Sequence, residues 1–205
     1  MPSKIDFKKE LKEFYAPSAK DVSVVNVPKL NYLSIDGKGD PNTSKEFQEA
    51  IEALYSVAYK IKFSVKKRLG KDYTVMPLEG LWWAEDMSNF STGDKSSWLW
   101  KTLIMQPDFI TPAIFQTAVD EVKIKKNLPG LNKIRLEALE EGPSAQILYI
   151  GPFANEGPTI ARIHDLIKGQ GGSLTQKHHE IYLSDMRRTA PEKLKTIIRQ
   201  PFRKK

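Results

Sequence analysis

The chain has 205 residues, 40% hydrophobic and 28% charged, with a formal net charge of +7 and a pI near 9.4. That suits one large domain or two small intimate ones, and no apolar run of roughly 18 residues is available to span a membrane. Cysteine is absent, which excludes disulfides and thiolate metal sites. The basic residues are mostly interleaved with acids, as in Lys8-Lys9-Glu10-Leu11-Lys12-Glu13, so the charge reads as a solvated surface and argues against a nucleic-acid partner. Met1-Pro2-Ser3-Lys4-Ile5-Asp6 lacks the apolar stretch of a secretory signal, and a cytoplasmic location is expected.

In chain order, residues 4–15 form a short amphipathic stretch expected to be an outer helix. Residues 22–36 are rich in Val and alternate in places, which predicts a strand. Thr43 and Glu46 have capping-box spacing. Phe47, Ile51, Leu54, Ala58, Ile61 and Val65 then recur at three- and four-residue steps, predicting a long helix that stops at Gly70. Residues 73–83 and 97–106 read as partner strands. The polar segment 84–96 between them is a candidate lid or rim. Thr111-Pro112 opens a helix that Leu128-Pro129-Gly130 stops. Residues 133–140 and 145–151 are expected to form a hairpin around Glu141-Gly142-Pro143. A helix follows from about Pro158 to Lys168, then strands at 177–184 and 193–200.

Two heptads nearly coincide. Lys101-Thr102-Leu103-Ile104-Met105-Gln106-Pro107 matches Lys195-Thr196-Ile197-Ile198-Arg199-Gln200-Pro201 at five of seven positions. Upstream, Pro28–Ile35 aligns with Pro143–Ile150, and in that register Glu79 falls opposite Glu180. Each half reads strand, helix, strand, strand, which indicates one structural unit used twice. The expected class is α+β, a single domain over 1–205. Its first module covers about 22–107, its connecting helix about 111–127 and its second module about 133–202. A seam between related halves is a common place for a ligand.

Strand side chains alternate between faces. If the helices cover Leu33, Ile35, Leu148, Ile150, Ile181 and Leu183, the other face receives Tyr32, Ser34, Ile147, Tyr149, Glu180 and Tyr182, together with Glu79, Leu81 and Trp83. Trp82, Trp83, Trp98 and Trp100 crowd one short stretch, and Trp98 shares a parity with Trp100. Two Glu near aromatic side chains suggest a polar floor in an aromatic box. The candidate ligand-binding residues are Tyr32, Glu79, Trp82, Trp83, Trp98 and Trp100. His178 and His179 are a pair without a third ligand, and His164 lies on a distant helix, so no zinc site or cofactor is expected.

Gly80-Leu81-Trp82-Trp83, the run from His178 through Glu180 and Tyr182 to Asp185, and the run from Arg187 to Thr196 resemble stand-alone GyrI-like small-molecule-binding proteins. The likeness spans residues 5 to 202. It implies two strand-helix-strand-strand modules related by a pseudo-twofold, with a groove along the dyad. In multidrug-sensing relatives, aromatic groups and an acidic residue hold bulky, often cationic drugs there. Some stand-alone members are hydrolases that open the cyclopropane of DNA-alkylating natural products. By this resemblance the acidic groove residue is Glu180, with Tyr182, Trp82 and Trp83 carried over from the same motifs. Met186 stands where close relatives are expected to have Pro.

Ring opening by water requires an activated water, a polarised carbonyl and a held aromatic substrate. Glu180 is the candidate base, and Tyr149 or Tyr182 the candidate proton donor. The alternatives are a non-catalytic protein that captures cationic drugs by charge and cation–π contact, and a protein-partner antagonist of a topoisomerase. A stretch of 20 residues before the first module is too short for a helix-turn-helix reader. The substrate, the donor Tyr and the oligomeric state stay open.

Overall fold

The computed structural model describes residues 4–85 and 95–204. Its elements run α1 (Phe7–Glu10), α2 (Lys12–Tyr15), β1 (Ser23–Val27), β2 (Leu30–Lys38), α3 (Lys45–Leu69), β3 (Glu79–Trp83), β4 (Leu99–Gln106), α4 (Pro112–Lys125), β5 (Arg135–Leu139), β6 (Gly142–Ile150), α5 (Gly157–Gly169), β7 (Gly172–Leu174), β8 (His178–Tyr182) and β9 (Lys195–Lys204). The class is α+β with antiparallel strand pairing. The expected first helix is two single turns. The expected strand over 22–36 is divided near Pro28, which has no N–H to give a ladder. Residues 86–94 of the expected rim loop lie outside the described residues.

Local chemistry sets the helix ends. Ser44, one residue beyond the expected Thr43, caps α3: its Oγ accepts from the Phe47 N–H at 3.2 Å. Gly70 ends α3 at φ 66°, a left-handed turn that glycine adopts without a Cβ clash. Thr111 caps α4 by accepting from the Ile114 N–H at 3.3 Å, with Pro112 in the first turn. Leu54, Ala58, Ile61 and Val65 of α3 are buried, as the periodicity predicts, whereas Phe47 and Ile51 of the same stripe are half-buried and Ala50, Ala53 and Val57 join the buried face.

The chain divides into two compact units. The first is Met1–Phe7 with Leu30–Leu139. It carries a sheet in the order β3-β4-β2-β5, with α3 and α4. In it Leu33 lies opposite Ile104, Ile35 opposite Thr102, and Trp82 opposite Trp100. The second is Lys8–Lys29 with Glu140–Lys205. It carries the order β8-β9-β6-β1, with α5, and β7 pairs with the far end of β9. In it Ile147 lies opposite Ile198, and Tyr149 opposite Thr196.

Each unit therefore takes its outer strand from the segment that leads into the other module. The expected hairpin of 133–140 with 145–151 does not form. β5 pairs with β2, whereas β6 pairs with β1 and β9.

The core of the second unit shows which sheet face its helix covers. Ala145, Ile147, Ile198 and Phe202 pack with Ile163 and Ile167 of α5. In the first unit, Phe47 of α3 meets the rings of Trp82 and Trp100, with centroids 5.7 and 5.0 Å apart. Register then assigns every other strand residue to the helix side or to the opposite side.

Candidate functional site

Strand β8, His178-His179-Glu180-Ile181-Tyr182, divides by parity. Glu180 lies opposite Ile198, a core partner of α5, so His178, Glu180 and Tyr182 are on the helix side of their sheet. The Glu180 carboxylate is held at both oxygens. His178 Nε2 lies 3.2 Å from Oε1, and the Tyr182 hydroxyl donates to Oε2 at 2.8 Å. The Glu180 side chain keeps 16% of its surface exposed and His178 only 9%. The carboxylate is thus fixed in direction, partly dehydrated, and still reachable.

Two aromatic groups extend this side. Phe153, in the short turn after β6, meets the Tyr182 ring edge-on with centroids 5.7 Å apart. Tyr149 of β6 has the same parity, but its hydroxyl donates to the Pro152 carbonyl at 3.0 Å. Burial, and secondarily the Glu156 charge, push that phenol above its ordinary pKa. Gly151 has φ 149°, and a Cβ there would come within 2.5 Å of the Tyr149 oxygen, so glycine lets the ring lie back over the turn. Of the two candidate donors, Tyr182 is the one in contact with Glu180. His164 of α5 titrates below its ordinary value because it is desolvated and feels His178.

The other expected site residues divide in the first unit. Trp82 and Trp100 lie beneath α3, and the Trp98 ring meets Trp82 at 6.0 Å. Tyr32, Glu79 and Trp83 have the opposite parity and turn to the face away from α3. Tyr32, Glu79 and Trp100 are buried, and Trp83 and Trp98 are partly exposed. Tyr32, Glu79 and Trp83 thus lie on the face away from their helix, as expected, whereas Tyr149, Glu180 and Tyr182, expected on the face away from the helices as well, lie on the helix side of their own sheet.

The cause is a slip of one residue. The ladders match Leu33 with Ile147, since these oppose Ile104 and Ile198 of the repeated heptads. Matching Pro28 with Pro143 instead sets Leu33 against Leu148. In a strand one step reverses every side chain. Hence α5 covers Ile147 rather than Leu148 and Ile150, and Glu79 corresponds to Ile181 rather than to Glu180.

The side of the second sheet away from α5 holds a buried ionic cluster absent from the sequence reading. Arg199 donates through Nη1 to Glu141 at 2.8 Å, through Nε to Gln146 at 3.0 Å and through Nη2 to the Phe14 carbonyl at 2.6 Å. His179 Nδ1 lies 2.9 Å from the other Glu141 oxygen, and Gln146 donates to the Glu13 carbonyl at 2.7 Å. Burial works to raise the Glu141 pKa, but His179 and Arg199 together outweigh it and hold it at about 2. The cluster pins the segment around α2 to the sheet. An Arg within the apolar run Ile197-Ile198-Arg199 was the available sign of a buried charge with dedicated partners. Among the described residues, no group of three or more His, Cys, Asp or Glu side chains is placed to hold a metal ion. No helix among them is long and apolar enough to cross a membrane.

The model of the GyrI-like small molecule binding domain matches residues 20–203. The chain belongs to this family. Three solved structures from Listeria innocua resemble this GyrI-like protein, each covering 98% of this chain and 100% of its own. An uncharacterized conserved protein is 42% identical with a TM-score of 0.90. Two structures described as hydrolases are 41% and 40% identical, with TM-scores of 0.88 and 0.85. No curated protein matches the chain.

Proposed function

We propose that this GyrI-like protein binds bulky aromatic, cationic small molecules at Glu180 and hydrolyses strained, cyclopropane-containing genotoxins there, a detoxifying role in the cytoplasm. The observation that carries the reading is the Glu180 carboxylate, partly exposed and held between Tyr182 at 2.8 Å and His178 at 3.2 Å. The likeness to two hydrolases at 40–41% identity supports the enzymatic form.

In the proposed reaction Glu180 takes a proton from water, and the resulting hydroxide attacks a cyclopropane carbon. The strained C–C bond breaks, and its electron pair moves through the conjugated ring to the carbonyl oxygen. Tyr182 gives that oxygen a proton and is reprotonated through the Glu180 carboxyl, so water is added overall with no redox change. One positioned acid or base contributes about 10²–10⁴-fold, and release of ring strain supplies much of the rest. Phe153, edge-on to the Tyr182 ring, is proposed to hold flat ligands beside the carboxylate.

A second reading, capture without chemistry, has its own support: a partly dehydrated carboxylate beside aromatic rings suits a cation. The decisive experiment incubates protein with a cyclopropane-containing alkylator and follows product mass. Gain of one water by wild type, and its loss in Glu180→Gln, is the expected result. An unchanged rate in Glu180→Gln removes the catalytic assignment. Saturable binding with no mass change leaves capture as the function.

A further inference from the structure

The first unit carries a second surface that small-molecule binding does not use. Tyr55, Tyr59 and Phe63 recur every fourth residue along α3, away from its buried stripe. Their rings stack in series, with centroids 6.2 and 6.3 Å apart. Tyr59 is 48% exposed and Phe63 59%. Large apolar side chains in a contiguous exposed row mark an interaction site far more often than scattered ones do. The row forms one wall of an open groove of about 380 Å³ between α3 and α4, with Val122 of α4 at its base.

The charge around this groove is lopsided. Its lining holds three lysines, Lys60, Lys125 and Lys126, against one acid, Glu121, and Lys126 also lies 4.0 Å from Glu52. Glu121 is already engaged by Lys60 and Arg68, and Asp72 by Lys62 and Lys66. Lys125 and Lys126 rim the groove itself.

We propose that the α3–α4 groove is a docking site for an acidic amphipathic helix of a partner protein. Its apolar ridge would lie along Tyr55, Tyr59 and Phe63, and its Asp and Glu side chains would meet the lysine rim. A trough between two helices matches the ridge of a third, and helix-in-groove recognition reads anchors at three- and four-residue spacing. A second copy of this chain fits poorly, because a symmetric contact sets the basic rim against itself. Single-stranded nucleic acid also fits less well. The three rings face one another along α3, so they offer edges where base stacking requires faces.

The test uses the full chain and a fluorescein-labelled helical peptide of about five turns, with Leu and Phe on one stripe and Glu elsewhere. Fluorescence anisotropy should show saturable binding that weakens with salt. Phe63→Ser or Tyr59→Ser should weaken it by about 10-fold or more, as loss of an aromatic anchor does. Lys125→Glu with Lys126→Glu should do the same without touching the aromatic row, which covers the case in which an aromatic variant misfolds. The charge-reversed peptide, with Lys for Glu, should not bind. Absence of peptide binding, or equal affinity in all variants, overturns the proposal. So does tighter binding of oligo-dT lost in the same variants, or a wild-type dimer in sedimentation that Phe63→Ser dissolves.

Discussion

The Trp100 indole lies directly across Gly37 on the neighbouring strand, so close that a Cβ on Gly37 would fall 2.2 Å from its Cη2. Gly37→Ala must therefore displace a fully buried ring that also packs on Phe47. We expect a loss of about 1–3 kcal/mol, the usual cost of overpacking, with a fall in melting temperature of about 2–4 °C per kcal/mol. Gly157→Ala is the control. A Cβ there meets nothing within 4 Å, and the melting temperature should stay near wild type.

Glu141→Gln should be strongly destabilising, by about 3–5 kcal/mol, because it leaves the Arg199 guanidinium buried without its counter-charge. The pH dependence has a definite sign. The Glu141 pKa falls from an ordinary 4.5 to about 2 on folding, so its contribution is complete above about pH 4.5 and disappears as pH falls towards 2. Urea unfolding at a series of pH values should show the gap between wild type and Glu141→Gln narrowing through that window. A constant gap would mean that ionisation of Glu141 is not what stabilises the cluster.

His164 carries a dependence of the same sign, in a higher pH range. Its folded pKa lies below 6.5 because it is desolvated and close to His178, so protonation favours the unfolded chain. Stability should fall as pH drops below about 6.5, and His164→Gln should flatten that part of the profile. Imidazole shifts in an NMR titration give the folded pKa directly.

Tyr182→Phe removes the hydroxyl that donates to Glu180 but keeps the ring against Phe153. Under the proposed reaction, kcat should fall by about 10²–10³-fold with little change in KM, as for the loss of one oxyanion donor. Tyr149→Phe, whose hydroxyl is committed to the Pro152 carbonyl, should leave kcat within a few-fold of wild type. Equal effects of the two would show that contact with Glu180 does not select the donor.

Helix content was largely legible because periodicity and caps are local. The stripe from Phe47 to Val65, the stop at Gly70 and the start at Thr111-Pro112 each rest on residues within a turn or two. Strand pairing was less legible. Glu141-Gly142-Pro143 has hairpin chemistry, yet β5 and β6 find other partners, a choice made by residues a hundred positions away. The face of Glu180 was lost to a single step in alignment. Tyr32 lines up with Ile147 if prolines are matched and with Gln146 if the ladders are, and only hydrogen-bonded neighbours distinguish the two. The Glu141–Arg199 pair joins residues 58 apart, beyond the reach of any spacing rule.

The borrowed outer strands, β1 in one unit and β5 in the other, bear on how this protein can be dissected. A fragment cut at either apparent module boundary would lose a sheet margin and carry an orphaned ribbon destined for the missing piece. Such fragments should associate when mixed, each completing the other, and misassemble when expressed alone.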